Sequence, residues 1–121
     1  MPKLSYKDAV HIYRTTEDSD GSQFWSLIEQ YAAMRITAMD AYSAAGEAAV
    51  YNFTPTHRGR CSYNENIDVA GSDQRLLVRV KDGKQFMVLG WREGQAQRGG
   101  NPEMILSLTV QRRQIYNLRD T

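Results

Sequence analysis

Leu76-Leu77-Val78-Arg79-Val80-Lys81-Asp82-Gly83-Lys84-Gln85-Phe86-Met87-Val88-Leu89-Gly90-Trp91 is the stretch on which the fold turns. Two runs rich in apolar and β-branched residues flank Asp-Gly, a dipeptide that favours a two-residue hairpin loop because both of its positions tolerate positive φ. With Asp82 and Gly83 as the loop, Val80 opposes Gln85, Val78 opposes Met87 and Leu76 opposes Leu89. That face is apolar and continues to Trp91, which assigns it to the core. The other face pairs Arg79 with Phe86, Leu77 with Val88 and Arg75 with Gly90. Its mixed character points outward, to solvent or to a subunit contact.

Working outward, Met104 to Val110 reads as another strand, followed by a turn or bulge at Gln111 to Gln114 and then Ile115-Tyr116-Asn117-Leu118. Upstream, Cys61 to Val69 alternates, and Val50-Tyr51-Asn52-Phe53-Thr54 reads as a strand stopped by Pro55. Before Gly46 the apolar period changes from two to about 3.6 residues. Ser5 and Asp8 resemble a capping box with Leu4 placed as its staple, and Tyr6, Ala9, Val10 and Tyr13 follow at helical spacing. Beyond a polar break at 15–21, a long helix is expected from about Ser22 to Ala45. Its stripe holds Phe24, Leu27, Ile28, Tyr31, Met34, Ala38, Met39 and Tyr42, and Gly46 closes it.

Helices first and antiparallel strands afterwards is the α+β pattern. The expected molecule is a single domain over 1–121, with a helical layer at 1–46 and a sheet at 47–121. Two N-terminal helices, one long, would pack on a curved antiparallel sheet of four to six strands. This order is similar to the cystatin-like and NTF2-like rolls, which are preferred here over a plain two-layer sandwich. The similarity concerns architecture and implies no function.

Composition is that of an ordinary globular chain: 121 residues, 41% hydrophobic and 24% charged. No apolar run approaches the ~18 residues that span a bilayer, and the N-terminus leads into polar sequence without a signal-peptide core. One cysteine, Cys61, excludes an internal disulfide. These features point to a soluble, cytoplasmic protein. Residues 1–50 hold four basic and seven acidic side chains (−3), and residues 51–121 hold eleven and seven (+4), nine of the eleven being arginine.

Two charges stand where a core is expected. Arg35 falls within the apolar stripe of the long helix, and Glu65 shares strand parity with Cys61, Tyr63, Ile67 and Val69. A buried charge needs a partner or a wet cavity. The two residues are therefore expected at a polar pocket between helix and sheet, with Arg35 as the anchor for an anionic or polar ligand. Tyr31, Tyr42, Tyr63 and Trp91 would form the walls. The plain alternative is an Arg35–Glu65 ion pair, or an Arg35 that snorkels to solvent. Cys61 reads as a small buried thiol.

The leading function is thus a small binding module with a small-molecule ligand. A second reading is a small cofactor-independent enzyme using Glu65, Asp68 or His57 as base in the same pocket. A third is an interaction protein that meets a protein or nucleic acid through the outer sheet face and the basic positions Arg58, Arg60, Arg112 and Arg113. The mixed hairpin face also suggests a homodimer. No phosphate loop, dinucleotide fingerprint, serine elbow or zinc-type spacing is present, so neither cofactor nor metal is expected, and no membrane partner.

Overall fold

The longest element is a strand where a helix is expected. In the computed structural model, which describes residues 6–40, 54–68, 74–96 and 102–120, seven strands occur and no helix occurs among the described residues. They are β1 (Asp8–Glu17), β2 (Gln23–Ala38), β3 (His57–Ser62), β4 (Arg75–Arg79), β5 (Gln85–Ala96), β6 (Pro102–Val110) and β7 (Leu118–Arg119). Neighbours run β1-β4-β5-β6-β3-β2, and β2 also pairs with β1, closing a six-stranded antiparallel barrel. β7 adds to β2 in parallel, through Trp25 opposite Leu118 and Ser26 opposite Arg119. The α+β class, the two N-terminal helices and the roll are overturned, because Asp8–Glu17 and Gln23–Ala38 are strands of this barrel.

The helical signal in β2 has a physical origin. Val10 faces Ala32, Ile12 faces Glu29 and Tyr13 faces Leu27. Each interval places one more residue on β2 than on β1, so two bulges interrupt the period of two. Every extra residue exchanges the inward and outward faces, and the apolar positions then recur at three and four. Beyond the bulges β2 alternates cleanly: Ala32, Met34 and Ile36 are buried while Ala33, Arg35 and Thr37 are exposed. Tyr31 sits in the bulge with φ of 55°, a left-handed conformation costing ~1–2 kcal/mol for a residue with a Cβ. Its N–H donates to His11 Nδ1 at 3.3 Å and its ring meets His11 edge-on at 4.7 Å, which holds it there.

The hairpin is real, but its register is two residues tighter at the strands and wider at the loop. Leu76 opposes Met87, Leu77 opposes Phe86 and Val78 opposes Gln85. The loop is four residues, Val80 to Gly83, with Gly83 at φ 72° donating to Arg79 O at 2.7 Å. Asp82 decides this. It takes Arg79 Nε and Nη2 at 3.1 and 2.8 Å and the Lys84 N–H at 3.2 Å. The hydrogen bond from Arg79 holds its carboxyl down at about 2.

The faces are reversed from Leu76 to Val88 as well, whereas Trp91, beyond a register shift in β5, packs against the interior cluster as expected. Leu77 and Phe86, expected outside, are fully buried in the barrel with Val10, Ile12, Met34, Ile36, Met104, Leu106 and Leu108. Val88 packs against them, so the apolar outer face proposed for a homodimer lies in the interior. Arg75 and Arg79, on the same parity, are buried at its two ends. Leu76, Val78 and Met87 face outward and join Tyr13, Trp25, Leu27, Ile115 and Leu118 in a second apolar cluster. The C-terminal segment covers that cluster. It is fixed by Gln85, whose Nε2 donates to Ile115 O at 2.9 Å while its Oε1 accepts the Ile115 N–H at 2.7 Å. Burying a Leu- or Phe-sized side chain contributes ~1.5–3 kcal/mol, so both clusters count, the interior more.

Met104 to Val110 is a strand as expected, within β6. β3 ends at Ser62 instead of continuing to Val69, and Ile115 to Asn117 are not strand. Of the expected strand at 50–54, residues 50–53 lie outside the described residues, as do Gly46 and Tyr42.

Candidate functional site

β2 and β3 carry the first candidate. Where β2 leaves β1 it pairs with β3, placing Arg35 opposite Arg60, Ile36 opposite Gly59 and Thr37 opposite Arg58. Ile36 and Gly59 point inward, so by strand alternation Arg35, Thr37, Arg58 and Arg60 all project from the outer wall. They line a groove of about 300 Å³. Arg35 is exposed and makes no ion pair among the described residues. Arg60 gives one Nη1 contact to Glu103 Oε1 at 3.1 Å. Glu103 is 2% exposed and also accepts from Tyr6 OH at 3.0 Å.

The second candidate caps one end of the barrel. After β3 the chain turns through Asn64 to Asp68, and Ile67 plugs the interior at 1% exposure. Glu29 Oε1 accepts from the side-chain amides of Asn64 and Asn66 at 2.9 and 2.8 Å. Arg75 Nε donates to Asn66 O at 2.6 Å. Asp68 takes Tyr63 OH on one oxygen at 2.5 Å and Trp91 Nε1–H on the other at 3.2 Å. The bond to Asp68 raises the Tyr63 pKa. Glu29, Tyr63, Asn64, Glu65 and Asn66 line a hollow of about 360 Å³.

These placements separate the residues nominated from sequence. Tyr63, Asp68, Glu65 and Trp91 share the capped end. Glu65 is exposed there, because the chain turns before strand parity can carry it inward. Arg35 belongs to the other hollow, and no Arg35–Glu65 ion pair forms. Tyr31 is 66% exposed beside His11.

His57 begins β3, while Glu65 and Asp68 follow its end, and a strand of this length spans ~17 Å. The imidazole packs edge-on to Phe86 at 4.9 Å with Nδ1 2.9 Å from Thr56 Oγ1. Burial, then Arg79 and Lys84, lower its pKa. Cys61 faces the interior, where burial pushes the thiol up to about 12. It is therefore no nucleophile near neutral pH.

Chemically, the capped end is a structural clasp, with both oxygens of Asp68 taken by neutral donors. The groove differs: it presents several guanidinium forks to one space, the donor set that takes carboxylate or phosphate bidentately. No cluster of His, Cys, Asp and Glu able to hold a metal occurs among the described residues. No protein-family model matches the chain, and no curated protein is similar to it in sequence.

Sequence reasoning nominated Arg35 as anchor, but on a helix, and left Arg58 and Arg60 to a different reading. The signal that joins them is parity. Arg-x-Arg at 58 and 60, and Arg-x-Thr at 35 and 37, each place two polar side chains on one face of a strand. Once the strands are antiparallel neighbours, those faces coincide.

Proposed function

We propose that the protein is a small binding module that takes the anionic group of a polar ligand in the groove of Arg35, Thr37, Arg58 and Arg60. The observation that carries the reading is Arg35 standing directly opposite Arg60. Like charges facing each other across a ladder are destabilising. Glu103 engages Arg60 and leaves Arg35 without a carboxylate among the described residues. An anion seated between the two forks relieves that repulsion and satisfies Arg35.

The test is a titration of the protein with inorganic phosphate and with citrate at low ionic strength, followed by NMR of the arginine Nε–H groups. Saturable shifts are expected at Arg35, Arg58 and Arg60. Arg35→Met should weaken binding about tenfold or more, the size of one charge-assisted contact, without destabilising the fold. Absence of saturable shifts at all three arginines would sink the proposal.

The reading in which Glu65, Asp68 or His57 moves a proton has thinner support. Asp68 is held by two donors, and His57 stands at the far end of β3 from both carboxylates.

A further inference from the structure

The groove on β2 and β3 has definite bounds. Arg35 and Thr37 are exposed, Arg58 and Arg60 half-buried, and the Arg60 side chain is 37% exposed. Next to β3 the outward positions of β6 are closed: Glu103, Ile105 and Ser107 are 2%, 6% and 7% exposed. A ligand therefore stops at β3 on that side, and must be compact. Toward β1, Asp8 accepts the Ile36 N–H at 3.0 Å and meets Lys81 Nζ at 3.5 Å.

Within those bounds the four side chains form two facing pairs. Arg35 stands opposite Arg60, and Thr37 stands opposite Arg58 one strand repeat along. Paired positions lie ~4.5–5.5 Å apart at Cα, and the step between the pairs is about 7 Å. The first pair sets the shape of the anion. A carboxylate has two oxygens in one plane and is filled by a single arginine fork. A phosphoryl group presents three oxygens about a tetrahedron, so two forks can each take an edge of it. Glu103 steadies Arg60 through Nη1 at 3.1 Å. The second pair adds a guanidinium and a hydroxyl, both common donors to phosphate oxygens. A volume of about 300 Å³ equals that of roughly ten liquid waters, room for more than one phosphoryl group.

We infer that the groove takes a diphosphate group, with its terminal phosphoryl between Arg35 and Arg60 and the adjoining one against Arg58 and Thr37. The inference rests on the groove reading and names its ligand chemistry. A bridging oxygen sets two phosphoryl groups closer than one strand repeat, and the long arginine stems take up the difference. Arg35 and Thr37 leave the groove open to solvent, so the diphosphate is either free or carried on an ester whose organic part lies outside.

Isothermal titration at low ionic strength compares phosphate, diphosphate, adenosine diphosphate and citrate, for the wild-type chain, Arg35→Met, Thr37→Val and Arg58→Met. Diphosphate should bind about thirtyfold more tightly than phosphate, the gain from one charge-assisted contact. Citrate, of comparable charge, should bind about tenfold or more weaker than diphosphate. Arg35→Met should weaken phosphate and diphosphate together and keep most of the diphosphate advantage. Thr37→Val and Arg58→Met should each cut that advantage to about threefold or less. Thr37→Val keeps the strand preference of its position, so it reports on binding even if Arg58→Met disturbs the fold. Adenosine diphosphate binding as tightly as diphosphate identifies an ester end, and binding about tenfold weaker identifies the free ion; either upholds the second seat.

If phosphate and diphosphate bind equally, or citrate matches diphosphate, the second seat is wrong and the groove stands. An advantage left whole in both Thr37→Val and Arg58→Met would overturn it in the same way. If neither phosphate nor diphosphate binds, the groove reading fails and the inference falls with it.

Discussion

Phe86→Ala distinguishes a ring inside the barrel from the surface ring that the hairpin pattern suggests. Phe86 is fully buried, met edge-on by His57 at 4.9 Å and covered by the Arg79 guanidinium at 5.3 Å. Truncating a buried phenylalanine costs ~3–5 kcal/mol, and aromatic contacts of this geometry supply ~0.5–1.5 kcal/mol of such losses. With a urea m-value of about 2 kcal/mol per molar, the midpoint should fall by about 2 M. Phe86→Leu keeps most of the volume and should cost no more than ~1.5 kcal/mol, so a folded variant is available if Phe86→Ala does not fold. The substitution has a second readout in His57, whose pKa is lowered first by burial and then by Arg79 and Lys84. Opening the ring site admits water, and the imidazole should titrate closer to its ordinary value. Urea unfolding at two protein concentrations and an NMR titration of His57 measure both effects. A ring at a subunit contact would instead give a concentration-dependent loss of association with an intact monomer. A cost below about 1 kcal/mol with an unmoved His57 titration would refute the interior placement.

Two further outcomes follow from buried groups. Folding lowers the His57 pKa, so the unfolded chain binds that proton more readily. This contribution to stability is present above the unfolded pKa and is lost as pH falls from ~6.5 through the folded value. His57→Gln should therefore show a shallower loss of urea midpoint between pH 7 and pH 5; parallel profiles would contradict the assignment. Cys61, pushed up to about 12 by burial first and then by Glu103 and Glu29, should react with a thiol reagent at pH 8 at least about a hundredfold more slowly in the native protein than in urea. Prompt labelling of the folded chain would show the thiol to be accessible.

The β-structure of the second half was legible because Asp82-Gly83 and Met104 to Val110 carry their signals locally. What failed was non-local. Tyr31 is the clearest case: at helical spacing it belongs with Leu27, Ile28 and Met34, yet it is the bulge residue and points to solvent. Two bulges on β2 mimic helical spacing, and nothing in the local sequence says that an extra residue is absorbed by a partner strand. The hairpin faces inverted for a related reason. Both faces of β4 are apolar at their centres, Leu77 inside the barrel and Leu76 beneath the C-terminal segment, so hydrophobicity could not choose between them. Arg75 and Arg79 bias the choice, although at the ends of a barrel buried arginines can reach Asn66 O and Asp82. Arg35 is a misplaced charge only if its segment is a helix. It is an ordinary outward residue of a strand, and its interest lies in Arg60 opposite.

Closure of the barrel sets what its outer wall offers to a partner. A closed six-stranded ring spends its strand edges on itself, leaving little for a partner strand to add to. Among the described residues the interior is packed with Leu77, Phe86, Met104, Leu106 and Leu108. One end is capped by Ile67 and the Asp68 clasp. The outer surface then divides by composition. Where β1, β4 and the start of β5 expose Tyr13, Leu76, Val78 and Met87, the chain covers them with its own C-terminal segment, and Gln85 locks it with two hydrogen bonds. The same segment could not cover Arg35, Arg58, Arg60 and Arg92 without desolvating them, at a cost several times that of leaving apolar surface wet. Intramolecular packing therefore covers the apolar wall, while Arg35 and Arg92 stay exposed. Gln85→Ala should loosen the C-terminal segment and lower stability by ~1–3 kcal/mol while leaving phosphate binding at the groove intact. Loss of both together would show that the two walls are coupled.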